Sequence, residues 1–227
     1  MSCELKIVNL NKQNASVHPL KHTFLPNCQA TFRLLIVGSS FCGKSNMLKN
    51  LITRFGYWEF YDHGKDIFII SSTLGDDSTW SSLDLPKFNT YSKYDPERLE
   101  EILDYSKTSS KHGILLILDD MIGDNRAFNK NKTSVVDNVY TMGRHKRASI
   151  IAISQMYKKL THTIRTNATD VICFKLGSGS EKRNFLEEMA SIDDVEDKYE
   201  YAVAERWSFL YINKVLGRCF RSFEEEL

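Results

Sequence analysis

Net charge is nearly absent from this chain: its 30 Lys and Arg stand against 29 Asp and Glu, a formal net of +1 over 227 residues. A protein that grips nucleic acid over its whole surface carries a large positive excess, so any such surface here has to be local. Long apolar runs are missing too. No stretch approaches the roughly 20 residues that a helix needs to cross a bilayer, and the first residues lack the apolar core of a signal peptide. The expectation is a soluble, intracellular protein with no membrane span. Cysteine is sparse and scattered: Cys3, Cys28, Cys42, Cys173 and Cys219 are odd in number and lack paired metal-ligand spacing. Free thiols in a reducing compartment follow. His18 and His22 stand four apart but find no third ligand, so no metal centre is expected there. Internal repeats and long low-complexity linkers are absent as well.

What is present is a globular composition, with 42% apolar and 26% charged residues, on a length that suits one sizeable α/β domain. Its organising stretch is 32–51. Residues 34–37 are a short apolar run suited to a buried strand. Residues 38–45, Gly-Ser-Ser-Phe-Cys-Gly-Lys-Ser, then fit the phosphate-binding loop G-x-x-x-x-G-K-S, and Met47, Leu48, Leu51 and Ile52 follow at helical spacing. Such a loop turns backbone N–H groups inward around phosphates, and the following helix adds the positive end of its dipole. Gly38, Ser39, Ser40, Phe41, Cys42, Gly43, Lys44, Ser45 and Asn46 are thus the candidate nucleotide-binding residues. Lys44 reaches the β- and γ-phosphates, and Ser45 holds magnesium. The same helix N-terminus predicts a lowered pKa for the Cys42 thiol.

A second anchor is 113–120, five apolar residues ending in Asp119-Asp120. In α/β sheets ligands gather at strand C-terminal ends. The pair reads as the acidic partner of the loop, with Asp119 orienting magnesium and Asp120 orienting or deprotonating an attacking water. A third apolar strand, 149–154, ends at Gln155. Its bland reading is a polar cap on a core strand. Its sharper one is a γ-phosphate sensor on a strand inserted between the two motif strands. Further strands are expected over 4–10, 66–72 and 171–174, with a hairpin from 207–215 and 218–223. Helices are expected after the loop, from Asp95-Pro96 to about 106, over 133–142 and over 181–190. Strands alternating with helices imply a mainly parallel, doubly wound sheet.

Charge is unevenly distributed. Residues 138–169 contain no acid but carry Arg144, Lys146, Arg147, Lys158, Lys159 and Arg165, with His145 and His162. A local basic face of this kind suits DNA phosphates, a subunit interface that presents an arginine to a neighbour's nucleotide, or simply solvent. Arg144 is the first candidate for such a finger and Arg165 the second.

The loop, the strand ending in Asp119-Asp120, Gly143-Arg144-His145, Ser149 to Gln155, Ile164-Arg165-Thr166-Asn167 and Phe209-Leu210-Tyr211-Ile212 together carry a family resemblance. The chain resembles the viral genome-packaging ATPases of the FtsK–HerA superfamily, of the poxvirus and large-DNA-virus type. That resemblance implies a P-loop NTPase three-layer sandwich with a C-terminal β-hairpin, an N-terminal part over 1–26, an ATPase core over 27–200 and C-terminal strands over 201–227. It implies ATP and Mg²⁺ as ligands, double-stranded DNA and capsid vertex proteins as partners, and a homo-oligomeric ring. The place of work would be the host cytoplasm at the virus assembly site, and the virion. By position it assigns catalysis to Asp120, Gln155 and Arg144 or Arg165, and metal binding to Ser45 and Asp119. Asp120 departs from the Glu of cellular relatives. Two other functions compete: a P-loop nucleotide or nucleoside kinase, and a nucleotide-binding assembly scaffold without turnover. The kinase needs an arginine-rich lid, and 74–94 has Lys87 and Lys93 but no arginine. A GTPase is disfavoured because 129–132, Asn-Lys-Asn-Lys, lacks the guanine-reading aspartate.

Overall fold

The computed structural model describes residues 7, 24–62, 64–75, 80, 83, 85–108, 110–121, 124, 126–128 and 132–227. The strand expected over 4–10 (apart from Ile7), Cys3 and the pair His18 and His22 lie outside the described residues.

Among the described residues, nine strands form one sheet. They are β1 (Arg33–Val37), β2 (Ile67–Ser71), β3 (Thr90–Tyr91), β4 (Ile114–Asp119), β5 (Ala148–Ser154), β6 (Asp170–Phe174), β7 (Phe209–Asn213), β8 (Arg218–Arg221) and β9 (Glu225–Glu226), in the spatial order β3-β2-β4-β5-β1-β6-β7-β8-β9. From β3 to β6 the pairing is parallel; β7, β8 and β9 close the sheet in antiparallel fashion. β5 lies between β1 and β4, as the inserted-strand reading expects. The central strands are mostly apolar because both faces are covered, with Ser149 of β5 a buried polar exception. Leu35, Val37, Leu116, Leu118, Ile150 and Ala152 join one buried cluster. Leu34, Ile36, Leu115, Ile117, Ile151 and Ile153 join the other, with Met47, Leu48, Leu51 and Ile52 of helix α1 (Lys44–Arg54). The result is a three-layer α/β sandwich with a C-terminal antiparallel hairpin.

Local chemistry sets the helix boundaries. After the short α2 (Tyr57–Phe60), helix α3 (Pro96–Thr108) starts as expected, with Asp95 Oδ1 accepting the Glu97 N–H at 3.0 Å. Helix α4 (Val135–Lys146) opens on a capping box in which Ser134 Oγ accepts the Asp137 N–H at 3.1 Å and Asp137 Oδ2 accepts the Ser134 N–H at 2.8 Å. It runs four residues past the expected end at 142, so Gly143-Arg144-His145 is its last turn. Gly143 suits that turn: a Cβ there would lie 2.9 Å from the Ala148 carbonyl oxygen. Helices α5 (His162–Asn167) and α7 (Val195–Ala202) were not expected, being too short for a helical period to declare itself. Helix α6 (Gly179–Glu188) begins and ends two residues before the expected 181–190. The two-residue edge strand β3 lies within 74–94, which reads as irregular.

Asp170, at the start of β6, is 2% exposed and accepts hydrogen bonds from Thr169 Oγ1 at 2.6 Å and Tyr211 Oη at 2.8 Å. Burial nonetheless outweighs these bonds and pushes its carboxyl up to about 6. A carboxyl raised in the folded state holds a proton that the unfolded chain has released, so its contribution to stability is present below the ordinary carboxylate value and is lost as pH rises through about 6. Relative to Asp170→Asn, the wild type should lose on the order of 2 kcal/mol between pH 4 and pH 7. Urea unfolding of both proteins at the two pH values checks this, and a pH-independent difference contradicts it.

Candidate active site

The phosphate-binding loop is suspended between two strand ends. The Gly38 N–H donates to the Ser154 carbonyl at the end of β5, and the Ser39 N–H donates to the Lys175 carbonyl just past β6, both at 3.2 Å. At position 38 only glycine fits: a Cβ would lie 2.6 Å from Phe174 Cβ and 2.8 Å from Cys42 Sγ. Gly43 enters the helix at φ +101°, a conformation that penalises a side chain. Phe41 takes the left-handed region at φ +59° with its ring 98% exposed. Lys44, the first residue of α1, is buried. Its ammonium donates to the carbonyls of Gly38 at 2.9 Å and Ser39 at 2.7 Å, which hold it across the mouth of the loop.

Ser40 to Asn46 line a cavity of about 730 Å³ whose opposite wall includes Thr73, Asp119, Asp120, Ser154 and Gln155. Asp119 ends β4, is 6% exposed, and accepts from Trp80 Nε1 at 2.8 Å. Asp120 follows at φ +51°, with its carbonyl accepting from Ser72 Oγ at 3.0 Å. Gln155 bridges the two motifs. Its Oε1 accepts from Ser40 Oγ at 2.7 Å, and its Nε2 donates to Asp120 Oδ1 at 3.3 Å. A neutral amide thus couples the loop to the second carboxylate.

Two expectations change. Cys42 is not a low-pKa thiol: desolvation by burial outweighs the nearby Lys44 ammonium and pushes the thiol up. The acid-free stretch 138–169 does not form one face. β5, buried throughout, splits it into Arg144, His145, Lys146 and Arg147 at its N-terminal end and Lys158 and Lys159 past its C-terminal end. At ~3.3 Å per residue the two groups stand roughly 20 Å apart. The two arginines also differ. Arg144 is exposed at the end of α4. Arg165 is 14% exposed, pairs with Glu188 at 2.9 Å, and lies 5.4 Å from the Tyr157 ring centroid, all within its own chain. Neither lines the cavity.

Trp80, Ser72 and Arg206, which also lines the cavity, escaped the sequence reading. Ser72 had one available signal, its place at the end of the strand expected over 66–72. Trp80 and Arg206 lie in segments without a motif. The four described cysteines are free thiols. Among the described residues no helix is long and apolar enough to cross a membrane.

Loop, inserted strand and paired acids define the P-loop NTPase fold class. The chain belongs to the family described as Poxvirus A32 protein, which it matches over residues 24–198. It is 21% identical over 208 residues to the uncharacterized protein 088R of Invertebrate iridescent virus 3, covering 88% of this chain and 76% of that one. Its fold is similar to that of B204, the DNA-packaging ATPase from Sulfolobus turreted icosahedral virus, with a TM-score of 0.62, 17% identity, and coverage of 84% of this chain and 96% of that chain. The genome packaging NTPase B204 from Sulfolobus turreted icosahedral virus 2, in complex with AMP, gives a TM-score of 0.60 at 15% identity with the same coverage. At these identities the structural likeness is one of fold, and the resemblance to the poxvirus type is borne out by the family match.

With its thiol pushed up and half-buried, Cys42 should alkylate more slowly with iodoacetamide at pH 7 than a free cysteine. Once formed, the adduct should block nucleotide binding, because Sγ lies 3.7 Å from the Lys44 ammonium. Mass spectrometry against time, paired with nucleotide binding on the modified protein, checks both parts.

Proposed function

We propose that this chain is an ATP-hydrolysing motor that drives viral double-stranded DNA into a preformed capsid and works as a homo-oligomeric ring. The observation that carries the hydrolytic part is the Ser40–Gln155–Asp120 connection. A scaffold that only binds nucleotide has no use for a polar bridge from the phosphate loop to a carboxylate. Family membership and the packaging activity named for the B204 proteins support the DNA-packaging part.

The cavity suits a magnesium nucleotide: its loop admits no side chain at Gly38, and hard oxygen donors from Ser45 and Asp119 share its walls. Those two residues would hold magnesium, which when bound supplies neutralisation of phosphate charge. The chain's own groups do the rest. Lys44 exchanges its loop carbonyls for phosphate oxygens. The loop N–H groups and the α1 dipole bind the anion. Asp120 orients an attacking water and accepts its proton, so that attack on the γ-phosphorus releases ADP and inorganic phosphate. Gln155 holds Asp120 in register with the loop and responds when Ser40 turns toward phosphate. Trp80 keeps the Asp119 carboxylate in a fixed orientation. Arg144, exposed and outside its own cavity, is the arginine we assign to the neighbour's nucleotide. Arg165 already has an intrachain partner.

Long duplex DNA should stimulate steady-state ATP hydrolysis, and the stimulation should collapse as salt rises, since counterion release couples DNA affinity to ionic strength. Lys44→Ala should abolish turnover. Hydrolysis indifferent to duplex at every salt concentration contradicts the translocase. Phosphate transfer to a nucleoside acceptor would favour a kinase.

Two separately inactive proteins test the trans arginine. Mixed rings of Arg144→Ala with Lys44→Ala should recover part of the activity, because each subunit supplies the half-site that the other lacks. No recovery in rings shown to be mixed removes Arg144 from that role.

A further inference from the structure

The nucleotide cavity has two flanks. On one side of β1 the order β5-β4 brings Gln155, Asp119 and Asp120 to the wall. On the other side lie β6 and β7, and the turn that leads into β7 carries Arg206 into the same cavity.

That turn is firmly built. The Ser208 N–H and Oγ–H both donate to the Glu205 carbonyl, at 3.3 and 2.8 Å, and the Glu205 carboxylate pairs with Arg221 at 2.6 Å. Trp207 sits at its apex in the left-handed region, φ +69°, a conformation that bulky residues rarely adopt. Its indole is 60% exposed but abuts the loop: a Cβ on Gly43 would lie only 3.3 Å from Trp207 Cδ1. The Arg206 guanidinium lies over this ring, 4.4 Å from its centroid. The indole therefore backs the guanidinium, which forms part of the cavity wall.

The groups that would handle water and the γ-phosphoryl stand on the β5-β4 flank, so the opposite end of a bound nucleotide falls on the Arg206 flank. We propose that Arg206, backed by Trp207, is the platform on which the nucleobase stacks. The inference rests on the nucleotide reading above and extends it to the base. A planar cation between two π-faces is attracted to both. Stacking reads the face of a base and not its edge, so it tolerates any base. ATP and GTP should therefore bind with affinities within a few-fold of each other.

Calorimetric titration of ATP, GTP and inorganic tripolyphosphate into wild type, Arg206→Ala and Arg206→Lys tests the platform. Both substitutions should weaken ATP and GTP by about tenfold, since stacking on one base carries ~1–3 kcal/mol, and leave tripolyphosphate unchanged. Lysine keeps the charge and loses the plane, so it should fail as alanine does. Trp207→Ala should lower nucleotide affinity in the same way. An equal loss for tripolyphosphate, or wild-type behaviour of Arg206→Lys, would make Arg206 a phosphate contact and overturn the platform. Unchanged ATP affinity in Arg206→Ala overturns it too. A wild type that binds neither ATP nor tripolyphosphate refutes the nucleotide reading itself, and the platform with it. Arg206 is exposed on a turn, so folding does not obscure these outcomes.

Discussion

The insertion of β5 between β1 and β4 is the constraint from which the site follows. Strands in a sheet stand ~4.8 Å apart, so adjacent motif strands would set the acids almost against the loop, whereas one intervening strand opens roughly 10 Å. That gap can hold a phosphoryl group and a water, with room for a bridging side chain. β5 fills it from below. Its seven residues are all buried, its last carbonyl receives the Gly38 N–H, and the next residue is the amide that touches both Ser40 and Asp120. The same strand ties the loop's backbone and the acid's side chain to one rigid element, so neither can shift without the other.

Left-handed backbone occurs at this gap as well as at Thr31, Arg147, Asp194 and Ser222 elsewhere in the described residues. Phe41, Asp120 and Trp207 all have positive φ, and all three line the cavity or abut its loop. Non-glycine residues hold such conformations only where neighbours over-determine them. For Asp120 those neighbours are Ser72 on its carbonyl and Gln155 on its carboxylate. Aspartate tolerates the left-handed region better than most residues, and its short side chain is met by an amide that reaches toward it. Aspartate at this position thus has a local physical reason: the backbone turn and the bridging amide both suit a short acid.

The part of the molecule governed by short-range rules was legible in the sequence. The loop declared itself through Gly38, Gly43, Lys44 and Ser45. The sheet centre declared itself through apolar runs that both helical layers bury, and the inserted strand through its ending at Gln155. What stayed hidden depends on contacts distant in sequence. Trp80 reaches Asp119 across 39 positions, and nothing local to either predicts the meeting. Arg206 enters the cavity only because β7 folds back beside β6. The Cys42 thiol was misjudged because proximity to a helix N-terminus is readable in sequence, whereas the burial that outweighs it is not. The basic stretch failed as one face for a geometric reason: charges contiguous in sequence were divided by a strand that the sheet swallows.

That division bears on the proposed ring. A cyclic assembly uses heterologous contacts, in which different surfaces of neighbouring copies meet, so a residue that serves the neighbour's site need not approach its own. Arg144 meets that condition, being exposed and at the end of β5 remote from its own loop. Arg165 does not. To reach another subunit it would have to leave Glu188, abandon its place over Tyr157, and strand a carboxylate that also accepts from the Tyr157 hydroxyl at 2.8 Å. Leaving would cost Arg165 both its carboxylate partner and its ring contact, and would leave the Glu188 carboxylate without its cation. Arg165 is best understood as the clasp that fastens α5 to α6, and of the two arginines Arg144 is the one compatible with the trans role proposed above.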